Sequence, residues 1–261
     1  MLAGVITALL AGVLGVLAGW WTTLAIYRLP RGERILHSWP RCESCHDYLA
    51  GKDLIPVLSW LVLRGKCRSC AAPLGYRSLA LELGTGLLFA VLVLRMGMSV
   101  ALLAYLYFAA VCVALFVIDI RVHRLPDVLT LPSYLVIGAL LLVDTVTTGS
   151  WSALLRAGVG MVVLFGAYYV LAVVAAGALG FGDVKLAGLL GLLLGWSGWY
   201  TLIAGGVLGF VYGGVFSLLL LVFRCADSKT RIPFGPFMVL GALTAVLLGA
   251  QADVALPLLM A

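Results

Sequence analysis

Charge is what this chain has least of. Only 11% of its 261 residues are charged, against 64% hydrophobic. A soluble domain carries about a quarter charged and about half apolar residues, so a soluble globular fold is excluded. Histidine is scarce as well: His37, His46 and His123 are the three present, too few for a histidine-built metal site within a membrane. No G-x-S-x-G elbow and no H-E-x-x-H pair occurs, which removes those two hydrolase chemistries. There is no G-x-G-x-x-G cofactor loop. No RNA- or DNA-binding motif is found, so no nucleic acid is expected as a partner.

What the chain does have is apolar length. A membrane span needs about 20 apolar residues. Helices are predicted near 2–27, 79–95, 98–118, 128–146, 154–177, 184–196, 199–223 and 235–251. The sixth is short and is open to being broken or partly interfacial. The expectation is an all-α polytopic membrane protein with about eight transmembrane helices. The first run is read as a retained helix: it is too long for a signal peptide's apolar core and no basic residue precedes it.

Lys and Arg orient these spans. Nine basic residues follow the first helix: Arg28, Arg31, Arg34, Arg41, Lys52, Arg64, Lys66, Arg68 and Arg77. Arg121, Arg124, Lys185, Arg224, Lys229 and Arg231 fall on the same side if eight spans alternate; Arg95 and Arg156 fall on the other. The rich side faces the cytoplasm. The net charge of +6 then reflects topology and contact with anionic lipid of the bilayer.

Three segments follow: a first helix at 1–27, a polar cytoplasmic insert at 28–78 and a membrane domain of about seven helices at 79–261. The insert carries Cys42-Glu43-Ser44-Cys45 and Cys67-Arg68-Ser69-Cys70, with 21 residues between the pairs. Two such knuckles resemble a zinc ribbon, with Cys42, Cys45, Cys67 and Cys70 as four thiolate ligands of one Zn2+ and the stretch between them able to form a hairpin that brings the knuckles together. Disulfides are the competing reading, and a reducing cytoplasm opposes them. His46 reads as a surface histidine, and Cys112 as small apolar packing; Cys225 lacks a Cys-x-x-Cys partner.

Two acids stand where a membrane protein tolerates them poorly. Asp119 closes the apolar run 111–118, and Asp183 follows Gly180-Phe181-Gly182. Carboxylates at membrane edges are costly to desolvate, which makes them functional candidates. For Asp119 the structural alternative is an ion pair with Arg121 or Arg124. For Asp183, at a predicted helix start, it is an N-cap. Asp127, after Pro126, sits where an N-cap belongs. Glu82 is placed to reach the cytoplasmic surface or to support the insert. Asp144 lies near the outer end of its helix, on the wrong side to meet Asp119. Asp119 and Asp183 both map to the cytoplasmic face. Two carboxylates sharing a site split their pKa values, so one takes a proton from water while the other donates to a scissile carbonyl. That pattern suggests an aspartyl hydrolase.

Five ordered motifs then resemble a known family, the bacterial type IV prepilin peptidases. Ile26-Tyr27-Arg28-Leu29-Pro30 is similar to the end of that family's first helix. The stretch from Cys42 through Ile55-Pro56-Val57-Leu58-Ser59-Trp60-Leu61 to Cys70 is similar to its cytoplasmic zinc domain. Asp119 with Leu125-Pro126-Asp127 resembles its first catalytic motif, and Gly180-Phe181-Gly182-Asp183-Val184-Lys185 its second. Pro233-Phe234-Gly235-Pro236 resembles the motif before its last helix. The departures, Gly19-Trp20-Trp21-Thr22-Thr23 and Glu43 among them, touch neither acid. The resemblance implies a membrane aspartyl endopeptidase of the bacterial inner membrane with Asp119 and Asp183 as its catalytic pair. It also implies prepilins or pseudopilins of a type IV pilus or type II secretion system as substrates, cut after a glycine. N-methylation of the new terminus from S-adenosylmethionine rests on the resemblance alone. Three other readings fit part of these residues: a peptidase without methyl transfer, a transporter relaying protons through the two acids, and a zinc-ribbon assembly scaffold without catalysis.

Overall fold

In a bilayer every backbone N–H and C=O must find a partner within the protein, so long apolar runs fold as helices. The computed structural model of the chain describes residues 2–32, 42, 44–48, 51–73, 75–174, 179–223 and 232–259. His37, Cys225, Arg34, Arg41, Arg224, Lys229 and Arg231 lie outside the described residues. The helices are α1 (Leu2–Arg28), α2 (Leu58–Val62), α3 (Arg77–Met96), α4 (Val100–Val122), α5 (Asp127–Thr148), α6 (Trp151–Val174), α7 (Phe181–Ser197), α8 (Trp199–Val222) and α9 (Gly235–Leu259). Six of them, α1, α3, α4, α5, α6 and α8, are long and apolar enough to cross a membrane; in α9 the apolar stretch is Gly235–Gly249. Apart from the short α2, each matches one of the eight predicted spans, with ends shifted by up to four residues except that α9 runs on to Leu259.

The chain divides into two compact units, residues 1–97 with 109–114, and residues 98–108 with 115–261. In the first, α1 packs against α3 through small residues. A Cβ on Gly15 would stand 2.7 Å from the Thr85 carbonyl oxygen, and one on Gly19 would stand 2.6 Å from Glu82 Cα. Glycine at such spacing lets two helix backbones touch, the usual means of association where lipid removes the hydrophobic drive between helices.

The second unit is built around α7. Eleven of its residues, Val184 and every position from Leu186 to Gly195, are buried. It packs against α5, α6, α8 and α9. On the α6 side the contact is again backbone to backbone, at Gly160, Gly191 and Gly195. Seventeen residues make about 25 Å of helix, short of the roughly 30 Å hydrocarbon core. The predicted span at 184–196 is one continuous helix, and its middle is enclosed by protein. Its last carbonyls are met by protein rather than water. Arg156 donates from Nε to the Gly195 carbonyl at 2.6 Å and from an Nη to the Trp196 carbonyl at 2.7 Å, and Tyr105 donates to the Leu193 carbonyl at 2.7 Å. A cation at a helix C-terminus also opposes the helix dipole favourably.

The knuckles come together without a strand hairpin among the described residues. Among the described residues the stretch between the knuckles forms a 3-10 turn (Gly51–Leu54) and α2, and no strand beyond an isolated bridge between Lys66 and Pro73. A metal can join two knuckles whatever lies between them, so the intervening segment need not be a ribbon.

Candidate active site

The chain end of α4 and the chain start of α7 set out the two acids. Asp119 lies in the last turn of α4. His123 closes that helix in the left-handed conformation (φ 52), with its N–H on the Asp119 carbonyl at 2.9 Å. Asp119 is 5% exposed, and its Oδ2 accepts the N–H of Gly235, the first residue of α9, at 3.1 Å. That N–H is an orphan donor of a helix start, so the carboxylate serves as a tertiary cap for α9. Any side chain on Gly235 would collide with it: an added Cβ would stand 2.6 Å from Asp119 Oδ2. Pro236, next in line, has no N–H to compete and sits in the first turn, where proline is tolerated. Pro233 precedes this turn, and Phe234 packs with Tyr168 and Phe210 at ring separations of 6.2 and 5.1 Å.

Asp183 is the third residue of α7. Gly180 occupies the N-cap position, and its N–H donates to Asp183 Oδ2 at 3.1 Å while its carbonyl accepts the Asp183 N–H at 3.0 Å. The N-cap alternative is thus corrected by three positions; Asp183 reaches back to the cap. Each acid spends Oδ2 on a helix-start N–H, and among the described residues neither Oδ1 has a hydrogen-bond partner. Asp119 lies near enough for its charge to be felt at Asp183.

Three ties hold the two acid-bearing segments together. Gly182 lies against Leu125, where an added Cβ would stand 3.0 Å from the leucine Cβ. Lys185 donates from Nζ to Asp127 Oδ1 at 2.7 Å and lies over the Phe181 ring at 5.0 Å. Tyr134, on α5, donates to the Lys185 carbonyl at 2.5 Å. Asp127 is therefore no N-cap: Pro126 holds that position with no side-chain bond, and Asp127 opens α5 paired with Lys185. An apolar contact, an ion pair and a phenol join the two motifs. Tyr134 and Tyr168 carried no sequence signal beyond being aromatic residues on apolar helices.

The other buried acids are engaged elsewhere. Asp144 Oδ1 accepts the Ala101 N–H at 2.8 Å and caps the start of α4, eighteen residues and about 27 Å along the helix from Asp119. Glu82 Oε2 accepts the Val57 N–H at 2.7 Å, tying the insert to α3.

All four cysteine sulfurs of the insert lie within 4.8 Å of one another. Both knuckles share one backbone design. The residue after the second cysteine, His46 or Ala71, is left-handed (φ 59 and 56) and returns its N–H to the first cysteine's carbonyl at 3.0 Å. His46 serves the turn. The N–H groups of Cys45 and Ser44 draw the Cys42 thiol down to about 6. Cys45 receives the Asp47 N–H, yet burial and the neighbouring cysteine sulfurs push it up to about 12. Four sulfurs so close cannot all ionise by themselves; a bound cation would supply the missing charge, and the donor set would suit a soft tetrahedral metal.

Comparison with known proteins identifies two segments. Residues 13–96 match the model of the bacterial peptidase A24 N-terminal domain, and residues 106–222 match that of the type IV leader peptidase family. A prepilin leader peptidase/N-methyltransferase of Stutzerimonas stutzeri is 34% identical over 215 residues, covering 81% of this chain and 72% of the relative. Proteins of the same description from Pseudomonas putida (32% identical, 93% and 91% covered) and Dickeya chrysanthemi (33%, 90% and 90%) align almost end to end. No solved structure matches the chain.

Proposed function

The chain belongs to the type IV leader peptidase family, and on that premise we propose that Asp119 and Asp183 are the acids with which it cleaves prepilin leaders. One observation carries the reading. Each carboxylate is anchored through one oxygen to a helix-start N–H, and among the described residues each keeps its other oxygen without a hydrogen-bond partner, with Asp119 near enough for its charge to be felt at Asp183. Like charges so placed do not both ionise readily, so the pair holds one proton between them. The ionised member takes a proton from water while the protonated member donates to the scissile carbonyl oxygen. The peptide bond breaks after a glycine of a prepilin or pseudopilin, and no covalent intermediate is formed.

The chain is a multi-pass protein of the bacterial inner membrane, with the acids and the insert on the cytoplasmic side. Cys42, Cys45, Cys67 and Cys70 hold one structural zinc ion. N-methylation of the new N-terminus is the second activity, with S-adenosylmethionine supplying the methyl group. The test is to incubate the purified protein with a prepilin and weigh both products. Cleavage with one added methyl supports both activities, and cleavage without it leaves the peptidase alone. Proton flux in vesicles without any cleavage would sink the peptidase reading.

A further inference from the structure

The insert presents an apolar face on α2 that is exposed among the described residues. Leu58, Leu61 and Val62 fall at i, i+3 and i+4 of α2, hence on one side of the helix. All three are exposed, Val62 at 75%. The other side is occupied, with the Trp60 indole against the backbone of Gly65, where an added Cβ would stand 2.9 Å away. A solvated surface helix carries its apolar side inward; here it is outward. Tyr48 and Tyr76 are exposed as well, and tyrosine is enriched where membrane meets water.

The depth of this face follows from α3. Its twenty residues span about 30 Å, the thickness of the hydrocarbon core with nothing to spare. Arg77 therefore sits at the headgroup edge, and Glu82 lies about 7.5 Å further in. Glu82 holds Val57, the residue directly before α2, by its N–H. Val57 is kept at φ 62, a conformation that β-branched residues avoid, so this bond imposes a specific turn on the chain entering α2. The helix thus begins where headgroups meet acyl chains. Its surroundings are basic: Lys52, Arg64, Lys66, Arg68 and Arg77 stand against one acid between positions 51 and 77. That acid, Asp53, is paired with Arg68 at 2.6 Å.

We propose that α2 lies in the membrane interface, with Leu58, Leu61 and Val62 among the acyl chains of anionic lipid and Arg64 and Lys66 at the headgroups. The four-cysteine cluster is thereby held down on the lipid surface beside the helices it is tied to. This goes beyond leader cleavage and does not depend on it.

The experiment places p-benzoyl-phenylalanine at Val62 of the full-length, zinc-loaded protein, reconstituted in vesicles of phosphatidylethanolamine and phosphatidylglycerol. After illumination, mass spectrometry reads the adducts on the insert. Phospholipid adducts should form in several-fold higher yield than with the same residue at Ser69, an exposed position of the second knuckle. Vesicles of phosphatidylcholine alone should lower the Val62 yield several-fold. Equal yields at the two positions, or adducts to protein instead of lipid, overturn the proposal. Equal yields in the two lipid mixtures overturn its anionic half. Zinc content reports whether the insert is folded, and if the Val62 protein loses zinc the comparison is repeated at Leu58.

Discussion

The four-cysteine insert and the two-acid site are held together by opposite means. Around α2 the large apolar side chains point outward, and the insert's buried groups include Cys42 and Cys67 themselves. Its order hangs on sulfur, on the Glu82 bond to Val57 and on the Asp53–Arg68 pair. The acids, by contrast, are carried near the ends of two largely buried helices, α4 and α7. The first region should lose its fold when its functional atoms are removed; the second should lose its chemistry and keep its fold.

The sharpest break of that contrast is at the acids. Asp119→Asn and Asp183→Asn should each lower leader cleavage by several orders of magnitude while zinc content and membrane insertion stay normal. The double variant should be no worse than either single one, because groups acting as a unit are strongly non-additive. Wild-type cleavage by a folded Asp183→Asn protein would refute the assignment.

Replacing Cys42, Cys45, Cys67 and Cys70 by serine should do the reverse. Metal analysis should fall from about one zinc per chain to none, and proteolysis should open residues 51–73 while the long helices stay protected, since metal binding to a small domain is folding free energy. Measurable cleavage should survive. Gly235→Ala tests how far the acid geometry depends on one missing side chain. Its Cβ would stand 2.6 Å from the Asp119 oxygen, and a shift of about 1 Å at a reacting group costs up to ~100-fold in rate. The fall should appear in kcat with little change in KM.

Smaller effects sharpen the boundary between the regions. Glu82→Ala leaves the Val57 N–H without its partner, a loss of about 1–3 kcal/mol, read as weaker zinc retention with cleavage rate little changed. Lys185→Met removes an ion pair whose aspartate is 55% exposed, worth at most about 1 kcal/mol. Its kcat/KM should fall by less than tenfold, and a loss as large as that of Asp183→Asn would move Lys185 into the chemistry.

Much of this was legible in the chain. The eight apolar helices follow from length and hydropathy, because a bilayer permits little else. The cysteine spacing foretold the four-sulfur cluster, since a knuckle is a local turn. The two acids were marked by the cost of placing charge beside apolar runs. Asp127 was misread, and α7 was left half open. Cap preference described Asp127 fairly, yet Lys185, fifty-eight residues away, claimed its carboxylate. Whether α7 runs unbroken was left open by the sequence, because hydropathy has no record of Arg156 and Tyr105, which donate to its last carbonyls.

Sequence by itself determined the helices, the four-cysteine cluster and the candidate acids, since each rests on local pattern or on the desolvation cost of a single group. Tertiary structure alone decided which backbone N–H anchors each acid, and why Gly235 and Gly182 stand where they do. It also decided that Glu82 and Asp144 are structural. Those outcomes depend on which helix ends meet, and helix ends far apart in the chain meet through packing, which no local pattern encodes.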